Sequence, residues 1–260
     1  MRLGLSSYCF RYATLTKKPP LTSVEILQKA AELSADMVQF CDNTPLHTLN
    51  AAALDDLMAA SRSLDVAIEV GTTGLDLIHL RQYVAIAQQC NSRALRLVLA
   101  SSDIDLIAET LQSLAPALQQ AGIVLAIENH ADLPSETLAA LLNDLGDSAL
   151  CFCIDTANNT NLLERPVDTV AALASRAAQV HLKDYTIEPV AIGHHITGRI
   201  LGQGRLDVPV VLDQLGPRRD ALDYYIELWM DPAQDLAATL AKEEQWIAAS
   251  LSAARTYLAS

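Results

Sequence analysis

Four short apolar runs from the middle of this 260-residue chain onward each end on a side chain able to bind a metal. IVLAIENH (Ile123–His130) brings Glu128, and CFCID brings Asp155. QVHLKD brings His181, and YYIELW brings Glu227. Runs of Ile, Val and Leu without polar alternation read as strands buried on both faces, so each donor stands where a strand leaves the core. One such run means little: Asp155 ahead of TANN fits a helix cap by itself, and any one of the four fits an ion pair. Four in succession form a constellation. Three carboxylates brought together repel one another unless a cation joins them, and an acid or imidazole inside a barrel is costly unless paired or metal-bound. One nitrogen and three carboxylate sources suit Mn²⁺ or Mg²⁺, and tolerate Co²⁺ or Zn²⁺.

The elements that must position these donors recur along the whole chain. Strands are expected at Leu3–Phe10, Met37–Cys41, Asp65–Gly71, Ala94–Ala100, Ile123–His130, Ala149–Asp155, Gln179–Asp184 and Tyr224–Trp229. Helical spacing of apolar residues fills most intervals: from a cap at Thr22 or Ser23 to Leu33, Ala51–Leu64, Leu75–Cys90, Ser101–Ala121, a segment opening at LPSE, another reaching Ala178, and Pro232–Leu258. Ser101 or Ser102 is the expected cap of the fourth of these, and Pro116 is expected to kink or split it. Tyr185–Arg205 reads as a long loop rich in Gly and His, followed by a short helix from near Asp207. Eight strands alternating with helices over one chain fit a single-domain (β/α)8 TIM barrel spanning 1–260. An open doubly wound sheet would carry G-x-G-x-x-G after its first strand, and none is present. Barrel sites lie at the C-terminal strand ends, where all four donors fall.

Alternation along a strand puts His130 on the side of Glu128, Lys183 on the side of His181, and Tyr225 and Trp229 on the side of Glu227. Lys183 could then neutralise a phosphate or carboxylate or assist an enediolate. Glu69, near the end of strand three, reads equally as a substrate contact or a structural ion-pair partner. Gly202 and Gly204 resemble a phosphate-cradling turn, although a lone G-x-G is a weak signal.

Net charge is -13 and sequence pI about 4.7. Nucleic acid and anionic membranes need a basic footprint, so neither is an expected partner. No apolar run reaches the ~18 residues of a spanning helix, and the start, MRLGLSSYCF, lacks the apolar core of a signal peptide. Five cysteines with no C-x-x-C pair, several inside strands, fit a reducing cytoplasm better than a disulfide scaffold.

The segments AIENH, CIDTANN, VHLKD, RILGQGRLD and YIELW, in this order and spacing, make the chain resemble the sugar phosphate isomerase/epimerase superfamily, the xylose isomerase-like TIM barrels. The resemblance runs over essentially the whole chain. It is specific for the superfamily and poor at naming a substrate. Members similar to ketose 3-epimerases hold one divalent ion with Glu, Asp, His and Glu, which implies Glu128, Asp155, His181 and Glu227 here. It also implies that the ion chelates an oxo and a hydroxyl group, that Glu128 and Glu227 act as the acid/base pair around an enediolate, and that Arg199, before L-G-x-G, approaches substrate oxygens. Those epimerases carry His three residues after the metal Asp; this chain has Asn158, also placed toward substrate, and so departs from the free-ketose branch. The expected activity is a metal-dependent isomerase or epimerase of a small sugar, sugar acid or sugar phosphate. Homo-oligomers are common among similar barrels, so self-association is compatible with the resemblance.

Four alternatives remain. A dehydratase of a keto-sugar, inosose or dehydroshikimate type would share the enolising step and differ in losing a β-hydroxyl. An AP-endonuclease-like branch would need a basic face and more metal ligands. Two carboxylates flanking a sugar could serve glycoside hydrolysis, but the His and the Asp fit a metal better. A non-catalytic sugar-binding barrel predicts a missing ligand, and none is missing.

Overall fold

Strands covered on nearly every residue must have packing on both faces, and a closed parallel barrel inside a ring of helices provides it. The computed structural model describes all residues 1–260 and shows that arrangement. The barrel strands are β1 (Arg2–Ser6), β2 (Met37–Phe40), β3 (Ala67–Thr73), β4 (Ala94–Val98), β5 (Val124–Glu128), β6 (Leu150–Asp155), β7 (Ala177–Leu182) and β10 (Asp223–Ile226). They pair in parallel in the order β1-β10-β7-β6-β5-β4-β3-β2, and β1 meets β2 to close the ring. The chain is thus a single-domain (β/α)8 TIM barrel. Its helices are α1 (Arg11–Leu15), α2 (Ser23–Glu32), α3 (Ala51–Leu64), α4 (Leu77–Gln89), α5 (Ile104–Ala121), α6 (Ser135–Leu145), α7 (Pro166–Leu173), α8 (Val208–Gln214) and α9 (Leu236–Leu258). None is long and apolar enough to cross a membrane.

The main hydrophobic core lies between the strands and the helices; Ile26, Leu57, Leu80, Leu111, Leu142 and Leu251 all pack there. The barrel interior is different. A small apolar floor of Ala94, Ala126 and Cys153 sits among polar side chains that satisfy one another. Gln39 donates to Gln179 at 3.0 Å, and Gln179 to the Tyr225 hydroxyl at 3.3 Å.

Several local expectations are corrected. The first strand stops at Ser6, whose hydroxyl accepts from the Tyr8 amide and starts a 3-10 turn over Ser7–Phe10. Helix α5 is capped by Asp103, which accepts from the Leu106 amide, and it runs unbroken past Pro116. The segment read as a loop after strand seven is largely an antiparallel hairpin, β8 (Asp184–Pro189) with β9 (His194–Arg199), standing at the barrel opening. Thr22, by contrast, caps α2 as expected, in a reciprocal pair with Glu25.

Candidate metal centre

β5, β6, β7 and β10 are neighbours in the barrel, and their ends bring Glu128, Asp155, His181 and Glu227 together. One donor atom from each lies within 4.8 Å of all the others. His181 Nδ1 stands 3.2 Å from Glu227 Oε2, 3.5 Å from Glu128 Oε2 and 3.8 Å from Asp155 Oδ2. All four residues are buried. Three of these atoms, Asp155 Oδ2, His181 Nδ1 and Glu227 Oε2, make no hydrogen bond. Burying even one such atom without a partner costs ~1–3 kcal/mol, so three facing each other call for a shared occupant. Spacings a little above 3 Å are close to the ligand-to-ligand edges around a cation with bonds of about 2.1 Å. The donor set fits a divalent ion.

The surroundings fix each ligand. His181 Nε2 donates to Gln39 Oε1 at 2.8 Å, because the Gln39 amide nitrogen is already given to Gln179. That bond orients the ring with Nδ1 toward the carboxylates; against burial, Cys153, Glu128 and Glu227 raise the imidazole well above its ordinary range, so an ion bound there would take the place of the Nδ1 proton. Asp155 Oδ1 accepts from the amides of Ala157 and Asn158, both at 2.8 Å, so its other oxygen is turned to the cluster. Asn158 donates to Glu128 Oε1 at 2.8 Å and accepts from Lys183 Nζ at 3.1 Å. It braces the centre and does not line the pocket wall. Lys183 Nζ also lies 2.6 Å from Glu227 and 2.9 Å from Asp155, beneath the Trp229 ring at 4.7 Å.

These charges pull the acids apart. Burial raises the Asp155 carboxyl, and Lys183 offsets this only in part. Burial opposes ionisation of Glu227 as well, yet Lys183 and His181 hold it well below the usual range. Glu128 is likewise held low against burial, by Arg96 and then His181. Burial works against a charged Lys183, but Asp155 and Glu227 outweigh it and raise the ammonium.

Above the cluster opens a cavity of about 300 Å³. His130 reaches its rim, exposed, and Lys183, Glu227, Trp229, Tyr8 and Asp42 also line it. Two sequence candidates are not brought here. Arg199 lies on β9, where it pairs with Glu188 at 2.5 Å and does not border the cavity. Glu69 is the third residue of a strand that runs on to Thr73, so it points into the lower barrel and binds Arg2 at 2.7 Å. The G-x-G turn does cradle an anion, but a protein one. Asp184 accepts from the amides of Gly202, Gly204 and Leu206, each at 2.9 Å. A Cβ on Gly204 would meet that carboxylate at 2.2 Å.

Arg96 is the residue that the sequence reading missed. It is fully buried, its Nε bonds Glu128, and Nη1 reaches Asp42 at 3.4 Å. Its signal was present: a lone arginine inside ALRLV, a strand buried on both faces, must have an acidic partner within the barrel. Gln39, inside MVQF, carried the same kind of signal.

Comparison with known proteins agrees with this architecture. The family model described as xylose isomerase-like TIM barrel matches residues 27–257. A protein of Pectobacterium atrosepticum named 3-oxo-isoapionate decarboxylase is 27% identical over 258 residues, covering 96% of this chain and 94% of its own. Among solved structures, D-psicose 3-epimerase of Clostridium cellulolyticum H10, in complex with D-tagatose, superposes with TM-score 0.77 at 10% identity, covering 99% of both chains. A xylose isomerase-like TIM barrel protein of Mycobacterium smegmatis, in complex with magnesium, gives TM-score 0.72 at 15% identity and covers 97% of both.

Proposed function

The chain belongs to the xylose isomerase-like TIM barrel family, and we propose that it is a divalent-metal-dependent enzyme that isomerises or epimerises a small sugar, sugar acid or sugar phosphate. The observation carrying this reading is the meeting of three buried donor atoms without hydrogen bonds, one of them facing Lys183, beside Glu128. Glu128, Asp155, His181 and Glu227 would hold the ion, Mn²⁺ or Mg²⁺ by preference and Co²⁺ or Zn²⁺ as substitutes, which supplies Lewis acidity toward an adjoining oxo and hydroxyl pair.

The chain's own groups do the rest. Glu227 and Glu128 come from β10 and β5, with β7 and β6 between them, so they approach the opening from separate directions. Glu227 Oε2 is free of hydrogen bonds and accepts the C–H proton; Glu128, ionised in the free protein, would have to take up a proton as substrate binds before giving it back from its own side. Lys183, kept charged, steadies negative charge building on the substrate oxygen, and Trp229 over it keeps water away. His130 at the rim contacts the far end of the substrate.

Elemental analysis of the purified protein tests the centre, and C–H exchange in D₂O over ketoses, sugar acids and their phosphates tests the chemistry. About one ion per chain, lost in Glu128→Gln with His181→Ala, is expected. No ion bound after addition of divalent salts would sink the reading.

A lyase outcome has one specific observation behind it. Both oxygens of Glu128 are already held, by Arg96 and by Asn158, which burdens it as a proton shuttle. Loss of CO₂ or of a β-hydroxyl leaves a carbanion or enol that needs only one proton acceptor or donor, and the relative matched over 94% of its length is named a decarboxylase. CO₂ or water released from an oxo sugar acid without solvent exchange into recovered substrate would select this outcome.

A further inference from the structure

The wall of the cavity carries more positive charge than the protein uses. Arg11, Arg96 and Lys183 all line it. Lys183 is spent on Asp155, Glu227 and Asn158. Arg96 gives Nε to Glu128 and Nη1 to Asp42, but its Nη2 donates to no protein group. Arg11 has neither a salt bridge nor a side-chain hydrogen bond, although acids outnumber bases in this chain 31 to 18. Its side chain is exposed at the edge of the cavity, and the backbone that carries it is anchored. The next two amides, of Tyr12 and Ala13, donate to the buried Glu243 at 2.7 and 3.2 Å, and the Tyr12 hydroxyl donates to the Met230 carbonyl at 2.8 Å.

Charge balance points the same way. The site holds four carboxylates, Asp42, Glu128, Asp155 and Glu227, against the three cations of the wall. With a divalent ion seated among the ligands, one positive charge is left over. A neutral sugar would leave that excess in a half-enclosed space; a single carboxylate removes it.

We propose that the substrate is a singly charged sugar acid whose carboxylate is received by Arg11 and the free Nη2 of Arg96. The inference rests on the metal-centre reading for its charge count, and on Arg11 and Arg96 for its geometry. Arg11 is then a specificity-determining residue: it touches the anionic end of the substrate and takes no part in proton movement. A guanidinium receives a carboxylate through two parallel bonds, and the cavity of about 300 Å³ has room for a sugar acid of five or six carbons.

The test uses ligands that share a skeleton and cannot be turned over: D-gluconate, sorbitol and sorbitol 6-phosphate. Each is titrated calorimetrically into the metal-loaded protein at low and at moderate salt. Gluconate should bind at least about tenfold more tightly than sorbitol, as expected for charge-assisted hydrogen bonds, and added salt should weaken it. Arg11→Met should reduce that preference to about twofold or less and leave the affinity for sorbitol and the metal content unchanged. Arg11→Lys should restore part of it, since charge remains without the fork. Equal binding of gluconate and sorbitol, or an Arg11→Met protein that keeps the wild-type preference, overturns the proposal. Tighter binding of sorbitol 6-phosphate than of gluconate overturns the carboxylate assignment. Titrating the metal-free protein separates the two readings. If gluconate is preferred by a chain that takes up no ion, the metal centre fails and the receptor stands. If the chain loads metal but shows no preference, the receptor fails and the metal centre stands.

Discussion

The two ends of this barrel both bury charge, and they handle it in opposite ways. At the N-terminal end Arg2 binds Glu69 at 2.7 Å and Asp223 at 3.1 Å. The second Glu69 oxygen accepts from Ser92 Oγ at 2.7 Å and from the amides of Arg93 and Ala94 at 3.1 and 3.3 Å. Every charge there has a protein partner. At the C-terminal end His181 Nδ1 and Glu227 Oε2 make no hydrogen bond, and Asp155 Oδ2 beside them has only the Lys183 ammonium at 2.9 Å. A closed network is complete when the chain has folded, whereas an open one is completed only by something from outside. The same residue types therefore serve stability below and binding above, as expected for barrels of this kind.

That contrast can be broken most severely at the top. Asp155→Asn or His181→Ala should lower turnover by about 10³-fold or more and abolish metal uptake, measured by kinetics and elemental analysis. In the metal-free protein Asp155→Asn should cost less stability than its pairing with Lys183 suggests, because burial already disfavours its charge. The bottom should respond in reverse. Glu69→Ala leaves Arg2 with Asp223 alone and removes the acceptor for Ser92 Oγ and the Arg93 and Ala94 amides, and should cost ~1–3 kcal/mol by urea unfolding, with metal stoichiometry unchanged. Chelating the metal from wild type should remove ~2.7 kcal/mol if the ion stood at a hundredfold excess over its Kd, and the Glu69→Ala protein should lose a similar amount on top. Gln39→Leu removes the acceptor for His181 Nε2, and competition with a chelating dye should show metal affinity about 10–100-fold weaker.

The last effect concerns an acid at neither end. Burial pushes the Glu243 carboxyl from its ordinary 4.5 up to about 7. The folded protein therefore favours its protonated form. Its stabilising contribution is present below pH ~4.5, declines as pH rises toward ~7, and is gone above that, amounting to roughly 3 kcal/mol. Unfolding followed across pH 5 to 8 should show this decline, and Glu243→Gln should flatten it.

What could be read in the sequence follows the same division. The barrel and the four donors were legible because a strand buried on both faces leaves nothing polar until its end, so Glu128, Asp155 and Glu227 mark their own positions. Glu69 was harder to place. Reading the third strand as ending at Gly71 put it near the opening, but the strand continues to Thr73, and depth in a barrel depends on strand length as much as on side-chain alternation. Arg96 and Gln39 were hidden because they act within apolar runs, where a lone polar residue shows that a partner exists but not which one. The hairpin was disguised by Gly and His, since a two-stranded sheet in solvent needs no apolar alternation. Arg199 then followed the hairpin outward to Glu188 instead of turning to the cavity.

The hairpin's anchorage has a consequence for how such a protein could diversify. Asp184 begins β8, and the three amides it gathers come from just beyond β9; further along, the Gly198 amide donates to the Trp229 carbonyl at 2.7 Å. Both feet of the hairpin are thus pinned to the barrel, next to Lys183 and to the strand that carries His181. Its tip, where Val190 and Ile192 stand exposed, is pinned to nothing. Lengthening, shortening or rewriting residues 189–194 would alter what projects beside the barrel end without disturbing Glu128, Asp155, His181 or Glu227. The tip is a part that can be exchanged, fitted on a mount that cannot.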